Sequence, residues 1–321
     1  MKRVFVTGIT GLLGTNLAIE LLEQGYHITG LARNPGNYTG PHADRLQLIR
    51  GELDDDFCLE GMDMIIHIAA ETSTRLYTYA EYEKVNYEGT VSIFEKARKN
   101  KIPKFVFIST ANTVGHGSLS RLGNESAPFR YPFTRLFYAQ SKRKAEEYLM
   151  DHASGIEVKI LNPTFMIGGW DAKPSSGSVI LYYLRNRVIF YPPGGKNFVP
   201  VKDVVHAVVN SFHSGHPGER YVIAGENLSY REFFRRVREI DGKPKIFILI
   251  PGFLLTVLGK VGNILRAVHI KTSLSGINMK ILSTENYYDH QKAKAHLGVT
   301  GSFLDQAIRD CRAYLLKHRL R

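Results

Sequence analysis

A phenol and an ammonium stand four residues apart in Tyr138-Ala-Gln-Ser-Lys142. On a helix this spacing puts both groups on one face. A tyrosine hydroxyl can donate or accept a proton, and a neighbouring cation favours its ionised form, so the pair is equipped for acid–base chemistry at an oxygen. Spacing of this kind is common, and its place in the chain adds what spacing alone lacks. The pair follows an apolar run, Phe105 to Ser109, and the Ser109-Thr110 hydroxyls that close it. In open α/β sheets ligands bind beyond the carboxyl ends of the strands, where those hydroxyls would lie.

A second set of residues sits at the other end of the chain. The stretch TGITGLLG places Gly8, Gly11 and Gly14 between a short β-branched and aromatic run, Arg3 to Thr7, and an apolar 3.6-residue period through Leu12-Leu13, Leu17 and Leu21-Leu22. Strand, glycine turn and helix in that order are what a dinucleotide fingerprint demands. Gly8 permits the tight turn, Gly11 lets the backbone approach a pyrophosphate, and Gly14 allows helix and strand to pack closely. Thr10, Gly11, Leu12 and Leu13 then present the helix N-terminus, with its free N–H groups and dipole, to the phosphates. The next strand ends in Leu31-Ala32-Arg33, with no carboxylate to accept from a free ribose 2′-hydroxyl. Arg33 can instead pair with a 2′-phosphate through its planar fork, so the expected cofactor is NADP(H) rather than NAD.

The elements that would hold these groups alternate. Gly25 stops the first helix, His27 to Ala32 is a strand, Leu46 to Leu48 a short one, Met64 to Ala69 a buried one, and Glu81 to Lys99 a helix. Strand Phe105 to Ser109, helix Tyr138 to His152 and strand Glu157 to Leu161 follow. Such alternation predicts an α/β fold, a doubly wound parallel Rossmann sheet with helices on both faces. After Asn162-Pro163 the pattern loosens around Gly168-Gly169, Pro192-Pro193 and Gly194-Gly195, which predicts a smaller C-terminal substrate lobe. The dinucleotide domain is placed at residues 1–163, with 199–224 returning to it through a helix (Asp203 to Phe212) and a strand (Arg220 to Ile223). Residues 164–198 and 225–321 make up the lobe.

Several motifs in fixed order resemble the extended short-chain dehydrogenase/reductase family, of the NAD-dependent epimerase/dehydratase type. They are TGITGLLG, HIAA at His67 to Ala70, Asn86-Tyr-Glu-Gly-Thr90, ISTANTVG at Ile108 to Gly115, YAQSK, Asn162-Pro163, and VPVKDVV at Val199 to Val205. The pattern is most like dihydroflavonol reductases and their bacterial relatives, with hydroxysteroid dehydrogenases also similar. The resemblance implies that Tyr138 is the general acid of carbonyl reduction, that Lys142 supports its phenolate and bonds the nicotinamide ribose, that Thr110 stands for the family's serine, and that Asn86 supports the lysine. Ser109 is the reserve for Thr110. Glu52 falls where the family places an aspartate near the adenine, next to Leu53, and Ala69 lies on the cofactor. Val114 replaces the tyrosine of many sugar-nucleotide members, whereas Lys196 stands where those members place a basic diphosphate-binding residue.

On the substrate side, Phe129, Tyr131, Phe133 and Phe137 precede or adjoin the catalytic pair, and Phe165, Met166 and Trp170 follow Pro163. With Thr110 and Asn112 they suggest a small-molecule ketone or aldehyde that is apolar or ring-containing. The alternative is a nucleotide-sugar epimerase or dehydratase with tightly bound NAD. A non-catalytic dinucleotide- or RNA-binding member rests on the net charge of +12 alone, and the intact Tyr–Lys pair argues against it. Histidines 213 and 216 flank a turn without accompanying carboxylates, so no metal is implied, and His67 reads as a structural histidine in a buried strand. Two distant cysteines and an N-terminus running straight into a strand point to a reducing cytoplasmic setting. A homodimer accords with the family. The apolar segment Ile246 to Leu258 is broken by Pro251-Gly252 and falls short of the roughly 20 residues of a membrane span. It is expected to be buried or to wall the substrate pocket, with an interfacial membrane contact as the alternative.

Overall fold

Strands that are apolar on both faces pair in parallel under helical cover, because only helices on each side can bury both faces. The computed structural model describes residues 2–299, 301 and 303–320 and has that arrangement. Its first half comprises β1 (Arg3–Thr7), α1 (Leu12–Glu23), β2 (His27–Ala32), β3 (Leu46–Arg50), β4 (Met64–His67), α2 (Tyr79–Glu83), α3 (Gly89–Lys99), β5 (Lys104–Ile108), α4 (Phe137–Asp151) and β6 (Glu157–Pro163). The second half comprises β7 (Phe165–Ile167), α5 (Ser178–Arg185), β8 (Val188–Tyr191), β9 (Gly195–Pro200), α6 (Val201–Asn210), β10 (Glu219–Ile223), β11 (Glu226–Ser229), α7 (Tyr230–Asp241) and β12 (Ile246–Leu249). It ends with α8 (Gly252–Ala267), α9 (Gly276–Leu282), β13 (Glu285–Asn286), α10 (Gln291–Leu297) and α11 (Leu304–Arg319).

The main sheet has seven strands in the order β3-β2-β1-β4-β5-β6-β10. Every pairing in it is parallel. The chain winds outward from β1 through β2 to β3 and then crosses back to β4. That reversal opens a crevice at the carboxyl ends of β1 and β4, where Thr7 stands opposite His67. On one face α1 and α6 bury Leu13, Leu17, Val204 and Val208; on the other, α3 and α4 bury Phe94, Ala145 and Leu149 against Phe105 and Phe107. A separate core of Ile167, Tyr183, Phe198, Phe233 and Ile308 holds the lobe. Strand β9 runs to Pro200 in a small sheet with β7, β11 and β13, so the return to the main sheet begins at α6.

Three elements differ from expectation for identifiable reasons. Strand β4 stops at His67 because the N–H groups of Ile68 and Ala69 both turn to the Thr7 hydroxyl, at 3.1 and 3.2 Å. The helix predicted from Glu81 starts at Tyr79, behind a capping box of Thr78 and Glu81, and is widened by a π-helical turn at Lys84–Glu88. The third difference is the largest. Residues 246–258 do not form a buried wall: they are β12 and the first half of α8, and Phe253 is 73% exposed, Ile246 62% and Val257 51%. Of α8 only Leu255, Gly259 and Gly262 are buried. The helix packs through the two glycines, whose Cβ atoms would lie 2.9 Å from Gly276 Cα and 2.3 Å from the Leu274 carbonyl oxygen. Backbone contact of that kind leaves the large side chains outside. No described helix is long and apolar enough to cross a membrane.

Candidate active site

The glycine turn closes by exclusion of side chains. Gly8 has φ +72°, and a Cβ on Gly14 would stand 2.2 Å from the Gly8 carbonyl oxygen. Neither position admits another residue without moving backbone. Gly11 is different, since a Cβ there would meet nothing nearer than 3.4 Å. Packing does not require its glycine, but an approaching ligand would. Gly11 is the exposed N-cap of α1, no side chain caps the helix, and its first turn holds no acidic residue. The buried side chains of Leu12 and Leu13 leave their backbone N–H groups at this end. The residues present therefore fit a dinucleotide pyrophosphate. Thr10, partly buried, flanks the turn.

Neighbouring strands β4, β1, β2 and β3 carry the other cofactor candidates at their carboxyl ends. Ala69 lies past β4, and a Cβ on Gly8 would sit 2.7 Å from its nitrogen. Arg33 is exposed directly past β2. Glu52, also exposed, follows β3 with its backbone N–H donating to Asp55 Oδ2 at 2.8 Å. Leu53 is tied down, its carbonyl accepting from Ser92 Oγ and Lys96 Nζ, each at 3.0 Å.

Helix α4 sets Tyr138, Lys142 and Glu146 along one face. Tyr138 is partly exposed, and the Thr110 hydroxyl lies near its phenol. Burial raises the phenol to about 12, and the Thr110 hydrogen bond pulls it part of the way back. Lys142 is 1% exposed. Its ammonium donates to the Ile108 carbonyl at 2.7 Å and lies 3.9 Å from the centre of the Phe107 ring. Burial lowers it to about 7, with the Glu146 charge opposing. His67 is pushed down to about 3 by burial and then by the Lys142 charge; its Nδ1 pairs with Thr7 Oγ1 at 2.8 Å and its Nε2 with Thr90 Oγ1 at 3.0 Å. It is a fully bonded structural histidine.

Asn86 does not reach Lys142 directly. From the π turn its Oδ1 accepts from Glu71 N at 2.7 Å, and its Nδ2 donates to Glu71 O at 3.1 Å and to Ser141 Oγ at 3.0 Å. It thereby ties the loop after β4 to the turn of α4 that carries Lys142. Glu146 escaped the sequence reading altogether, although it continues the four-residue series of Tyr138 and Lys142. Fully buried, its Oε1 accepts from Ser109 Oγ, from Thr113 Oγ1 at 2.7 Å and from Asn162 Nδ2 at 2.7 Å. Its Oε2 stands 2.9 Å from Arg220 Nε. Asn162 also donates to the Thr110 carbonyl at 3.1 Å. Ser109 is thus committed to Glu146, and Thr110 is the hydroxyl left facing Tyr138.

The substrate candidates divide. Asn112 is partly exposed, and its N–H donates to Thr110 Oγ1 at 3.2 Å. Phe165 packs edge-on to Phe198 beneath the Lys196 ammonium, 4.8 Å from its ring centre, with Met166 beside it in β7. Burial lowers Lys196 to about 8. Trp170, at φ +64°, lies against Tyr314 of α11, whose hydroxyl reaches Thr39 in the loop after β2. Phe133 belongs to a small core with Ala139 and Ile281, and Phe137 packs on Tyr79, whereas Tyr131 is exposed.

A sequence model of the NAD dependent epimerase/dehydratase family matches residues 4–224. The chain belongs to this family. It is 30% identical to the "Putative dihydroflavonol 4-reductase" of Synechocystis over 98% of its own length and 94% of that protein. It is 26% identical to the 3 beta-hydroxysteroid dehydrogenase/Delta 5-->4-isomerase of Mycobacterium tuberculosis, over 98% of this chain and 90% of that one. Among solved structures, gox2253 superposes with a TM-score of 0.82 at 25% identity, each chain 99% covered. The UDP-glucose 4-epimerase of Thermotoga maritima shares the fold, with a TM-score of 0.73 at 20% identity over 98% of this chain and 99% of that one. The protein is an enzyme of the extended short-chain dehydrogenase/reductase family, whose cofactor is a nicotinamide dinucleotide.

Proposed function

We propose that the protein reduces a ketone or aldehyde to an alcohol with NADPH, Tyr138 acting as general acid. The observation that carries this reading is the Tyr138 phenol, on one helix face with a buried Lys142 and with the Thr110 hydroxyl near it. Residues 1–163 with 199–224 would hold the cofactor along Ala69, Gly8 to Gly14, Arg33 and Glu52, and the rest would form the substrate side. NADPH, when bound, supplies the hydride. A substrate carbonyl oxygen accepts a hydrogen bond from Thr110 and takes the proton of Tyr138 as its carbon is reduced. With a pKa near 12 the phenol is fully protonated beforehand, as a general acid must be. The phenolate left behind favours the charged form of Lys142, and that charge in turn stabilises the phenolate until solvent returns a proton. Glu146 holds Ser109, Thr113 and Asn162 to α4 and so fixes Thr110 opposite Tyr138.

Oxidation of NADPH by a panel of aldehydes and ketones, followed by absorbance, tests the proposal. Turnover of at least one apolar or ring-containing carbonyl is expected. Tightly bound NAD together with turnover of nucleotide sugars would favour the second reading, an epimerase or dehydratase. Lys196 supports that reading, because a half-buried ammonium over Phe165 suits a diphosphate.

A further inference from the structure

Helix α8 leaves its apolar side chains in solvent in an ordered way. Phe253, Leu254, Val257, Val261, Ile264 and Val268, the last at its C-cap, are each at least 41% exposed. At 3.6 residues per turn they fall within about 100° of the helix circumference. The packed residues Leu255, Gly259 and Gly262 lie on another side. Strand β12 leads into the helix with Ile246, Ile248 and Leu249 also exposed, and β8 adds exposed Phe190 opposite Ile248. A helix stripe of six exposed apolar side chains, preceded by exposed apolar residues of β12, marks an interaction site.

The charge around it selects the partner. From Gly242 to Thr284 there is no Asp or Glu, while Lys243, Lys245, Lys260, Arg266, Lys271 and Lys280 are present. This segment holds six of the twelve net positive charges of the chain. Lys243, Lys260, Lys271 and Lys280 are exposed. A second copy seated on the face would bring two such cationic sets together at an isologous interface, where like charges oppose association. An apolar stripe rimmed by lysine on a helix that does not span is the pattern of an interfacial helix lying in anionic headgroups. We infer that α8 and β12 dock the protein on an anionic lipid surface, with Phe253 and Ile264 in the acyl boundary and Lys260 and Lys271 among the phosphates. The α8 segment is braced from below, Arg266 donating to the Thr74 carbonyl at 2.9 Å, so the face is carried on the body of the protein.

Co-sedimentation of the full chain with phosphatidylcholine vesicles, with and without phosphatidylglycerol, tests this. Binding to the anionic vesicles and weak binding to the neutral ones are expected. Lys260→Gln and Lys271→Gln should each weaken binding about fivefold. Phe253→Ser combined with Ile264→Ser should weaken it at least about tenfold, with an unchanged melting temperature because both side chains are exposed. The inference is overturned if the parent stays in the supernatant, if neutral and anionic vesicles bind equally, or if the double serine variant binds like the parent. It is equally overturned if the parent elutes as a dimer that the double variant converts to a monomer, since a second copy would then cover the face.

Discussion

Glu146→Gln changes one oxygen for an amide at the centre of the network behind the catalytic pair. The side chain is fully buried, its Oε1 serves three donors, and its Oε2 faces Arg220 at 2.9 Å. Glutamine keeps one oxygen for Ser109, Thr113 and Asn162 but turns an NH2 group toward the guanidinium. Neutralising one partner of a buried ion pair costs about 3–5 kcal/mol, because the other charge is left uncompensated. The Arg220 side chain retains 21% exposure and recovers some solvation, so the lower figure applies. At about 2 °C per kcal/mol for a chain of this length, a loss of about 3 kcal/mol lowers the melting temperature by about 6 °C. Arg220→Met should cost a comparable amount, and the double variant should cost less than the sum. Turnover should fall with little change in NADPH affinity, because Thr110 moves relative to Tyr138 while the glycine turn does not. Thermal unfolding followed by circular dichroism reads the first effect, and steady-state kinetics the second. A melting temperature within about 1 °C of the parent would refute the reasoning that this carboxylate holds the strand ends to α4.

Two further outcomes follow from single side chains. Arg33→Ala should weaken NADPH binding by about tenfold or more, the loss of a charge-assisted hydrogen bond, and leave NADH binding unchanged; equal losses in a titration of both would remove the basis for NADP(H). Lys142 is held at about 7 against an ordinary 10.5, so between those values the unfolded chain binds a proton that the folded one has released, and stability rises with pH across that window. Lys142→Met removes the buried cation and should therefore melt higher than the parent near pH 7, with the gap closing toward pH 10, while losing activity. A gap that stays constant over this range contradicts the buried, depressed ammonium.

The parts of the molecule that could be read from sequence are those whose determinants are local. The glycine turn, the Gly25 stop and the Tyr138–Lys142 spacing each lie within a few residues, and all are where the residues place them. The Glu146 network was not legible, because its partners come from the loop after β5, from β6 and from β10 and meet only once the sheet is assembled. The left-handed backbone of Trp170, which turns its ring onto Tyr314 of α11, was equally out of reach, since that partner lies far along the chain. The segment from Ile246 to Leu258 shows a different limit. Apolar composition signals burial only when the side chains do the packing, and α8 packs through Gly259 and Gly262 instead.

Tyr138→Phe is the substitution on which the proposed chemistry rests. It removes the phenolic hydroxyl and leaves the ring, the helix and the glycine turn in place. Proton transfer by a positioned side chain is worth about 10² to 10⁴ in rate. On a carbonyl substrate turned over by the parent, Tyr138→Phe should bind NADPH with parental affinity and show kcat lower by at least about a hundredfold. A variant that binds NADPH normally and reduces the carbonyl at near-parental kcat would contradict the assignment of Tyr138 as the acid.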